Sequence, residues 1–563
     1  MARSKESRTH PLALTLERHS YDAVPTEPDH IPLLSPTERG GDITPRRSKN
    51  RTRIHQHPRL TRLIIAILVA STALLAVTVI VRRRFNHEDE SDVGPDDLDP
   101  DDPVTAARLH VDALLARQSA TYTRAAAKYS LKTGRAPPRN YDKWFTFAQA
   151  HSCLIDEYDQ INRDFAPFYQ LAADDPLFFQ HRMDIVADLN HNVKEAGAII
   201  IKDGEVHMPE GVDLRYWGGG PATFSQFAPL LPEMTFIING KDQPRVVFNY
   251  REPGNMTRDR ALTLTEERPF DLSPQPTAEF FRNRTGCEVL RNPMGFTETA
   301  NDDSGFFLSS SPAWFTLDLY PVLSVTKVSP CFADILFPSE YYYGRSWTSP
   351  KFAYPDNIAW EDKKPQMYWR GTATGGQILG DNYHNFTRFR LVDLAQAHPD
   401  LVDAKIMRFA DLLCLPEQGC DREGIIREYN ISGANAPQEN SYKYKYLLDV
   451  DGMTYSGRFL GILRSGSLVF KATVFEEYFN DWLRPYEHFI PVLPDLSDLL
   501  EKIEWARSHD AEARMIQERG REMATRVMTD AQNDCYFFAL LLEWAQLQEI
   551  SRNASQSAGM VYG

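Results

Sequence analysis

The chain has 563 residues, of which 42% are hydrophobic, enough for one or two domains with cores of their own. Its 77 acidic residues outnumber its 62 basic ones, and the formal net charge of −15 argues against a nucleic-acid partner. Much of this acidity lies in one stretch, EDESDVGPDDLDPDD at 88–102.

The start of the chain has the composition of a tail followed by a membrane anchor. Residues 1–62 are rich in Arg, Pro, Ser and Thr and poor in aromatic residues, which predicts a disordered tail. Residues 63–81, LIIAILVASTALLAVTVIV, are 19 uncharged residues, long enough to cross a hydrocarbon layer of about 30 Å as a helix. Seven Lys or Arg lie in the 20 residues before this segment and three in the 20 after it. The positive-inside rule therefore predicts a single-pass type II membrane protein with a cytosolic tail and a lumenal body, in the Golgi or the ER.

The residues after the predicted membrane helix suit a lumenal environment. Residues 82–105 read as an acidic stem that holds the body off the membrane. All six cysteines follow the helix; their even number suits an oxidising compartment, their spacing matches no zinc pattern, and their pairing stays open. Five N-x-S/T sequons follow it too, and they predict glycosylation at Asn255, Asn283, Asn385, Asn430 and Asn553.

The body reads as an α/β protein. Helical patterns run from Pro103 to about residue 171, and short β-rich runs such as MTFIING and PRVVFNY appear between 231 and 330. From 366 onward strands alternate with helical stretches, which predicts βαβ units and a parallel sheet. The predicted divisions are an N-terminal half (106–345), a C-terminal half (346–530) and a C-terminal helix with a tail (531–563).

The segment 443–471, KYKYLLDVDGMTYSGRFLGILRSGSLVFK, carries the clearest functional signal. It contains a buried strand that leads to a Gly/Ser turn among basic side chains, an arrangement that suits a diphosphate. The basic residues in this interpretation are Lys443, Lys445, Arg458 and Arg464.

The same segment resembles glycosyltransferase family 90, which contains fungal capsule-associated proteins and animal protein O-glucosyltransferases. Three further blocks match that family's pattern in the same order: LPEMTFIINGKDQPRVVF (231–248), YWRGTATGG (368–376) and WLRPYEHFIPVLPDLSDL (482–499). The resemblance implies a GT-B-like fold, with two Rossmann-like halves and a nucleotide sugar bound by the second half.

The resemblance also implies roles for particular residues. Asp242, in NGKDQP, takes the place of the family's general base, with Glu233 as the fallback. The leading candidates for the leaving group are Arg458 and Arg388, with Arg390 an equal alternative to Arg388. Structural roles are expected for Arg370, Lys443 and Lys445. The implied donor-binding residues are Thr372, Arg388, Met453, Thr454, Tyr455, Ser456, Gly457 and Arg458.

Two features leave alternatives open. Asp449 and Asp451 form a D-x-D, the pair that holds Mg²⁺ or Mn²⁺ in metal-dependent transferases, whereas the family resembled is metal-independent and no metal site is predicted. The segment TATGG departs from the Arg-containing pattern of the animal members, so donor and acceptor are not inherited from them. His488, between Pro485 and Pro491, is expected to be a packing residue.

The sequence therefore predicts an inverting, metal-independent glycosyltransferase of the secretory pathway. It would move a sugar, glucose or xylose, from a UDP donor to a hydroxyl of a protein or glycan acceptor, with no cofactor besides the UDP-sugar. The alternatives are a catalytically inactive glycan-binding or scaffold protein on the same fold, and a metal-dependent transferase that uses Asp449 and Asp451.

Overall fold

A computed structural model describes residues 102–190, 196–208, 226–257, 318–329, 332–344, 357–376 and 378–561, all within one compact unit of the chain, Val93–Gly563. The predicted tail, membrane helix and most of the acidic stem lie outside these residues, as does the sequon at Asn283. Within the described ranges, no helix combines the length and the apolar character needed to cross a bilayer.

Helices fill the start of the described chain. Asp102 caps the first of them by accepting a hydrogen bond from the backbone N–H of Thr105 at 2.9 Å, and Pro103 follows at the first helical position, which needs no N–H. The helical pattern predicted between 103 and 171 is confirmed. The five helices are α1 (Pro103–Ala116), α2 (Tyr122–Thr133), α3 (Tyr141–Ala150), α4 (Asp159–Asp174) and α5 (Phe178–Asn190).

A mixed sheet of five strands follows, in the order β2-β1-β3-β4-β5. Strand β1 runs antiparallel to both β2 and β3, whereas β3, β4 and β5 are parallel. The strands are β1 (Ala196–Lys202), β2 (Glu205–His207), β3 (Met234–Asn239), β4 (Leu323–Ser324) and β5 (Ile335–Leu336).

The ends of the parallel strands in this sheet are joined by buried polar side chains. The amide of Asn239 donates to the hydroxyl of Ser324 at 3.1 Å, and that hydroxyl donates to the carboxylate of Asp334. The same carboxylate accepts from the backbone N–H groups of Arg245 and Val246. This network fixes the chain that leaves β3, where Asp242 lies.

The second sheet is entirely parallel, in the order β10-β9-β8-β6-β7. The chain passes from β6 to β7 on one side and then to β8 on the other, so β6 and β8 flank the point at which the strand order reverses. Open parallel sheets bind ligands at the carboxyl ends of the strands at this point. The strands are β6 (Lys364–Ala373), β7 (Val402–Phe409), β8 (Tyr444–Val450), β9 (Leu468–Ala472) and β10 (Ile490–Val492).

The helices of the C-terminal half alternate with these strands and continue beyond them. The α/β class and the parallel sheet after residue 366 are confirmed, whereas the first sheet is mixed, so the two Rossmann-like halves of a GT-B plan stay a prediction. The helices are α6 (Thr387–Ala397), α7 (Arg422–Glu428), α8 (Phe459–Leu463), α9 (Leu499–Ser508), α10 (Asp510–Arg526) and α11 (Asp530–Val561).

The last helix, α11, returns to the N-terminal half and completes its core. A disulfide joins Cys535 to Cys153, 382 residues earlier in the chain, and the indole N–H of Trp144 donates to the carbonyl of Cys535. The indole of Trp544 is buried and donates to the carbonyl of Thr235 on β3. Residues 531–561, predicted as a separate helix and tail, are therefore a structural part of the N-terminal half.

Candidate functional site

Arg388 lies at the point where the strand order reverses. It follows the first residue of α6, and its side chain reaches back to the carboxyl ends of β6 and β8. Its Nε donates to the carbonyl of Asp451 at 2.9 Å, Nη1 to that of Thr372 at 2.9 Å and Nη2 to that of Val450 at 3.3 Å. Burial, and secondarily the nearby charge of Arg458, lowers the pKa of Arg388 to about 9, so the guanidinium stays charged at neutral pH.

Trp369 supports both of the arginines predicted at the leaving group. The guanidinium carbons of Arg388 and Arg458 lie 5.5 and 5.8 Å from the centre of the Trp369 ring, within the range of cation–π attraction. Arg458 also donates to the carbonyl of Arg370 at 2.8 Å. Gly371 leaves room for the indole, because a Cβ there would lie 2.4 Å from ring atom Cζ2. Both positive charges thus lie within reach of the same aromatic ring.

The segment that follows β8, Gly452–Arg458, forms a tight loop that we call the donor loop. The N–H of Gly452 donates to the carbonyl of Thr454 at 2.7 Å, which closes its first turn. A Cβ on Gly452 would lie 3.1 Å from Nη2 of Arg388 and 3.3 Å from the hydroxyl of Thr374, so this position has little room for a side chain.

Two buried hydroxyls at this end of the sheet lack hydrogen-bond partners among the residues that the structure describes. They belong to Thr374, just beyond β6, and to Ser456 in the donor loop. Buried hydroxyls in folded proteins are nearly always hydrogen-bonded, so an unpaired one is free to bind a ligand. Both suit phosphate or sugar oxygens.

A pocket of about 240 Å³ opens beside Arg458, and its walls combine aromatic and cationic side chains. A second pocket of about 220 Å³ shares Tyr368 and Arg370 with the first and adds Lys364 and Lys443. Flat aromatic walls accept a base or a sugar ring, and the cations favour an anionic ligand. The side chains that line the first pocket include Tyr368, Trp369, Arg370, Pro437, Ser441 and Arg458.

Asp242 comes from the N-terminal half and meets the donor loop. It lies shortly after β3, is partly exposed, and its Oδ2 accepts a hydrogen bond from the hydroxyl of Thr454 at 2.7 Å. Burial raises the pKa of Asp242, and the hydrogen bond from Thr454 opposes this rise. Two predicted site residues that are 212 positions apart in the sequence are therefore in direct contact.

Further contacts between the N-terminal half and the donor loop come from residues 339–342, which were not among the residues predicted for the site. The hydroxyls of Ser339 and Tyr455 are hydrogen-bonded at 2.5 Å. The ring of Tyr341 covers Gly457, where a Cβ would lie 2.9 Å from its Cγ. A run of three tyrosines, Tyr341–Tyr343, was the sole signal, and aromatic runs are as common in cores as in sites.

Several predicted candidates lie elsewhere. Lys445 is ion-paired with Asp510 at 2.6 Å, in agreement with its expected structural role. Arg464 donates to the carbonyls of Ala524 and Met528 near the end of α10, so its guanidinium is engaged there and not in the predicted diphosphate site. Arg370 is ion-paired with Asp403 and is structural, as predicted, although it also lines the pocket.

Glu233, the fallback base, and Arg390, the alternative arginine, are less well placed than Asp242 and Arg388. Glu233 is exposed and precedes β3, so it lies at the opposite end of that strand from Asp242. Arg390 is partly buried on α6, whereas Arg388 makes the contacts with the ends of β6 and β8.

The two aspartates of the D-x-D are buried beneath the donor loop. Asp449 is ion-paired with Lys471 at 2.9 Å, and Asp451 accepts from the backbone N–H of Val474 at 2.9 Å. Lys471 also lies 3.6 Å from Glu477, and burial raises the pKa of Asp451 and of Glu477 to about 7 each. Oδ1 of each aspartate is buried and has no hydrogen-bond partner among the described residues, so the pair is closed to solvent but not fully engaged.

One cluster in the described part of the chain could bring three metal ligands together: His110, Glu487 and His488 lie with ligand atoms within 4.8 Å of one another. However, the backbone N–H of Arg484 donates to Nδ1 of His488 at 2.9 Å. A neutral ring that accepts at Nδ1 carries its proton on Nε2, which then cannot bind a metal. His488 is buried, in agreement with its predicted packing role, and burial lowers its pKa to about 3.

The predicted modification sites differ in exposure. Asn430 and Asn553 are exposed, whereas Asn255 and Asn385 are partly buried, and the amide of Asn255 donates to the carbonyl of Asn249 at 3.0 Å. A second disulfide joins Cys414 and Cys420, which the sequence had left as one possible short loop; Cys331 and Cys287 lie outside the described residues.

Comparison with known proteins finds relatives of the C-terminal part of the chain. Residues 348–562 match the model of Glycosyl transferase family 90, so the resemblance seen in the sequence is confirmed for this region. Protein O-glucosyltransferase 2 of Danio rerio is 32% identical over 191 residues, and protein O-glucosyltransferase 3 of Homo sapiens is 28% identical over 191 residues. Each alignment covers 34% of this chain and 34% of the relative, so the chain spans about a third of the length of these relatives.

Two further matches are more distant. Protein O-glucosyltransferase 1 of Homo sapiens is 26% identical over 273 residues, which cover 44% of this chain and 62% of the relative. The solved structure of a sucrose-phosphate synthase from Thermosynechococcus elongatus covers 37% of this chain and 47% of its own, with 14% identity and a TM-score of 0.21, too low to support an argument about the fold.

Proposed function

Because residues 348–562 carry the sequence of a family 90 glycosyltransferase, we propose that the protein is an inverting, metal-independent glycosyltransferase. It moves a sugar, glucose or xylose, from a UDP donor to a hydroxyl of an acceptor. The observation that carries this proposal is the contact between Asp242 and Thr454, which sets a carboxylate beside the loop and the arginines at the end of the parallel sheet.

Asp242 acts as the general base. The acceptor hydroxyl gives its proton to the carboxylate while its oxygen attacks the anomeric carbon from the side opposite UDP. The new C–O bond forms as the bond from the anomeric carbon to the diphosphate oxygen breaks, and UDP leaves with the electron pair. A base with a raised pKa is better matched to neutral pH than an ordinary aspartate.

The charge that develops on UDP is met by positive charge and hydroxyls. Arg458 and Arg388 supply the fixed positive charges, and the hydroxyls of Ser456 and Thr374 are available to oxygen atoms of the donor. The aromatic pocket beside Arg458 accommodates the nucleotide. The scheme uses no metal ion, and one oxygen of each buried D-x-D aspartate is engaged, by Lys471 and by the backbone N–H of Val474.

The acceptor is a protein hydroxyl in the first instance, since the relatives are named protein O-glucosyltransferases. The catalytic body lies in the lumen of the Golgi or the ER, and residues 63–81 anchor the protein in the membrane. Exposed sequons and two disulfides support an oxidising, glycosylating compartment.

A second candidate is a binding protein on the same fold that no longer transfers sugar. The observation in its favour is the segment TATGG, which lacks the arginine that the animal members carry there. Such a protein binds UDP or a glycan but releases no UDP from a UDP-sugar.

The test uses the purified full-length protein in detergent, a panel of UDP-sugars, an acceptor peptide mixture and a metal chelator. We expect release of UDP from one donor, and loss of that release in Asp242→Asn. Activity that disappears with the chelator and returns with Mn²⁺ would instead favour the metal-dependent alternative, and UDP binding without any transfer would favour the binding protein.

A further inference from the structure

We propose that Thr454 is a positioning residue that fixes the carboxylate of Asp242, so that the loop that binds the donor also prepares the base. This proposal rests on the proposed function, because it assigns a partner to the base of that reaction. Its subject is a residue that the sequence had placed among the donor contacts.

The hydroxyl of Thr454 is committed to Asp242 by geometry. Thr454 is 1% exposed, and its Oγ1 lies 2.7 Å from Oδ2 of Asp242. A threonine hydroxyl has one proton to donate, and an ionised carboxylate can only accept, so this proton points at Asp242. The same proton cannot be donated to a phosphate oxygen of the donor at the same time. Thr454 differs in this respect from Ser456, whose hydroxyl has no partner among the described residues.

The direction of this hydroxyl is fixed from both sides. The N–H of Gly452 holds the carbonyl of Thr454 at 2.7 Å, and the hydroxyl of the next residue, Tyr455, is bonded to Ser339 in the N-terminal half. These two hydrogen bonds hold the backbone around Thr454 in place, whereas Asp242 lies in a partly exposed turn. The rigid partner determines the orientation of the carboxylate.

A fixed carboxylate has a defined chemical consequence. With Oδ2 accepting from Thr454, Oδ1 is the oxygen that takes the proton of the acceptor hydroxyl. That O–H bond breaks as the new bond to the anomeric carbon forms and UDP departs. The charged groups that face Asp242 are Lys241 and Arg245, which lower its pKa together with Thr454, and the hydroxyl of Tyr455 lies close by.

Loss of the hydroxyl has effects that differ from loss of a donor contact. Without it the ionised carboxylate loses a hydrogen bond, and its pKa rises. The acidic limb of the pH profile of kcat/KM then moves to higher pH, by about half a unit to one unit. The free carboxylate also samples more orientations, so kcat falls about tenfold while KM for the UDP-sugar changes less than twofold.

The experiment compares Thr454→Val, which has the same shape without the hydroxyl, with Thr454→Ser, which keeps it. Thr326→Val is the matched control, because Thr326 is a fully buried threonine whose hydroxyl donates to the carbonyl of Glu476. In the full-length protein we expect the valine variant to show the shift and the loss of kcat, the serine variant to restore both, and the control to leave the pH limb unmoved. A valine variant with a raised KM for the UDP-sugar and an unmoved pH limb would make Thr454 a donor contact and overturn the proposal.

A second measurement needs no turnover and so separates this proposal from the proposed function. The hydrogen bond stabilises the ionised carboxylate, so its stabilising effect is present above the pKa of Asp242 and lost as the pH falls through it. The gap in melting temperature between wild type and Thr454→Val should therefore widen from pH 4 to pH 8, and should stop depending on pH in the Asp242→Asn background. A gap that is the same at both pH values would refute the positioning role, whereas failure to transfer from any UDP-sugar would refute only the function.

Discussion

The two halves of the molecule reach the site in different ways. The C-terminal half presents Arg388, Thr372 and the donor loop at the ends of parallel strands, where the backbone itself determines their positions. The N-terminal half contributes Asp242 and Ser339 from connecting segments of a mixed sheet with short strands. The proposed donor side is thus built into regular structure, whereas the proposed base depends on tertiary contacts with the other half.

The largest effect is expected from the substitution that removes the carboxylate contributed by the N-terminal half. Asp242→Asn should lower the rate of transfer by about 10³-fold, because a general base contributes about 10²- to 10⁴-fold. UDP affinity should stay within about twofold of wild type, since the change leaves the arginines and the pocket intact. Initial rates and calorimetric titration with UDP measure the two quantities.

The matched control for this variant is Asp142→Asn, which changes an exposed aspartate in the first turn of α3. An Asp242→Asn protein that keeps more than a tenth of the wild-type rate would move the base to another residue. The N-terminal half would then no longer be the source of the base through Asp242.

The next effect tests the C-terminal half. Arg458→Ala should weaken transfer by about 10²-fold, because it removes a charge that stabilises the leaving diphosphate. UDP affinity should fall as well, in contrast to Asp242→Asn. Arg458→Lys should recover part of the rate, since a lysine keeps the charge but not the fork of donors.

Arg422→Ala is the control for Arg458, because Arg422 pairs with the exposed side chains of Asp411 and Glu423. If the two alanine variants bound UDP equally well, the site at the end of the parallel sheet would be misplaced.

A smaller effect concerns the buried carboxylates under the donor loop. Asp451 and Glu477 have pKa values raised to about 7, mainly by burial, so the folded protein binds protons that the unfolded chain releases between about pH 4 and pH 7. The unfolded state therefore binds fewer protons in that window, and stability falls as the pH rises through it. Asp451→Asn should flatten this dependence and raise the free energy of unfolding at pH 8 by about 1–3 kcal/mol.

Denaturant unfolding at pH 5 and pH 8 measures the change. Asp400→Asn, an exposed position at the end of the 398–401 turn, serves as its surface control. A destabilised Asp451→Asn protein at pH 8 would mean that interactions with the ionised carboxylate stabilise the fold by more than the burial of its charge costs.

The smallest expected effect is at Lys443. Its amine is exposed and donates to Asn440 at 3.1 Å, at the far end of β6 and β8 from the donor loop. Lys443→Ala should change UDP affinity by less than about twofold, as is usual for an exposed charge. An effect as large as that of Arg458→Ala would extend the donor site into the second pocket.

Much of the C-terminal half could be predicted from the sequence, because its signals are local. Buried runs such as YKYLLDV and SLVFKA became β8 and β9, and the helical pattern at FTRFRLVDLAQA became α6. The donor loop followed from its Gly and Ser residues next to a buried strand. Each of these features is determined within a few residues of chain.

What the sequence could not supply depends on contacts between distant segments. Arg464 belonged to the basic cluster predicted around a diphosphate, but it donates instead to the carbonyls of Ala524 and Met528 near the end of α10. The ring of Tyr341 packs on Gly457, and Thr454 donates a hydrogen bond to Asp242. Both contacts join residues more than a hundred positions apart. No spacing rule links such residues, so they become visible only in the folded chain.

The disulfide between Cys153 and Cys535 has a consequence for the durability of the site. It closes a covalent ring that contains both sheets, the donor loop and Asp242. A single cut by a protease in any loop within this ring opens it without separating the two halves. Under oxidising conditions the nicked protein would therefore remain one molecule, and its base and donor loop would stay connected through the ends of the ring.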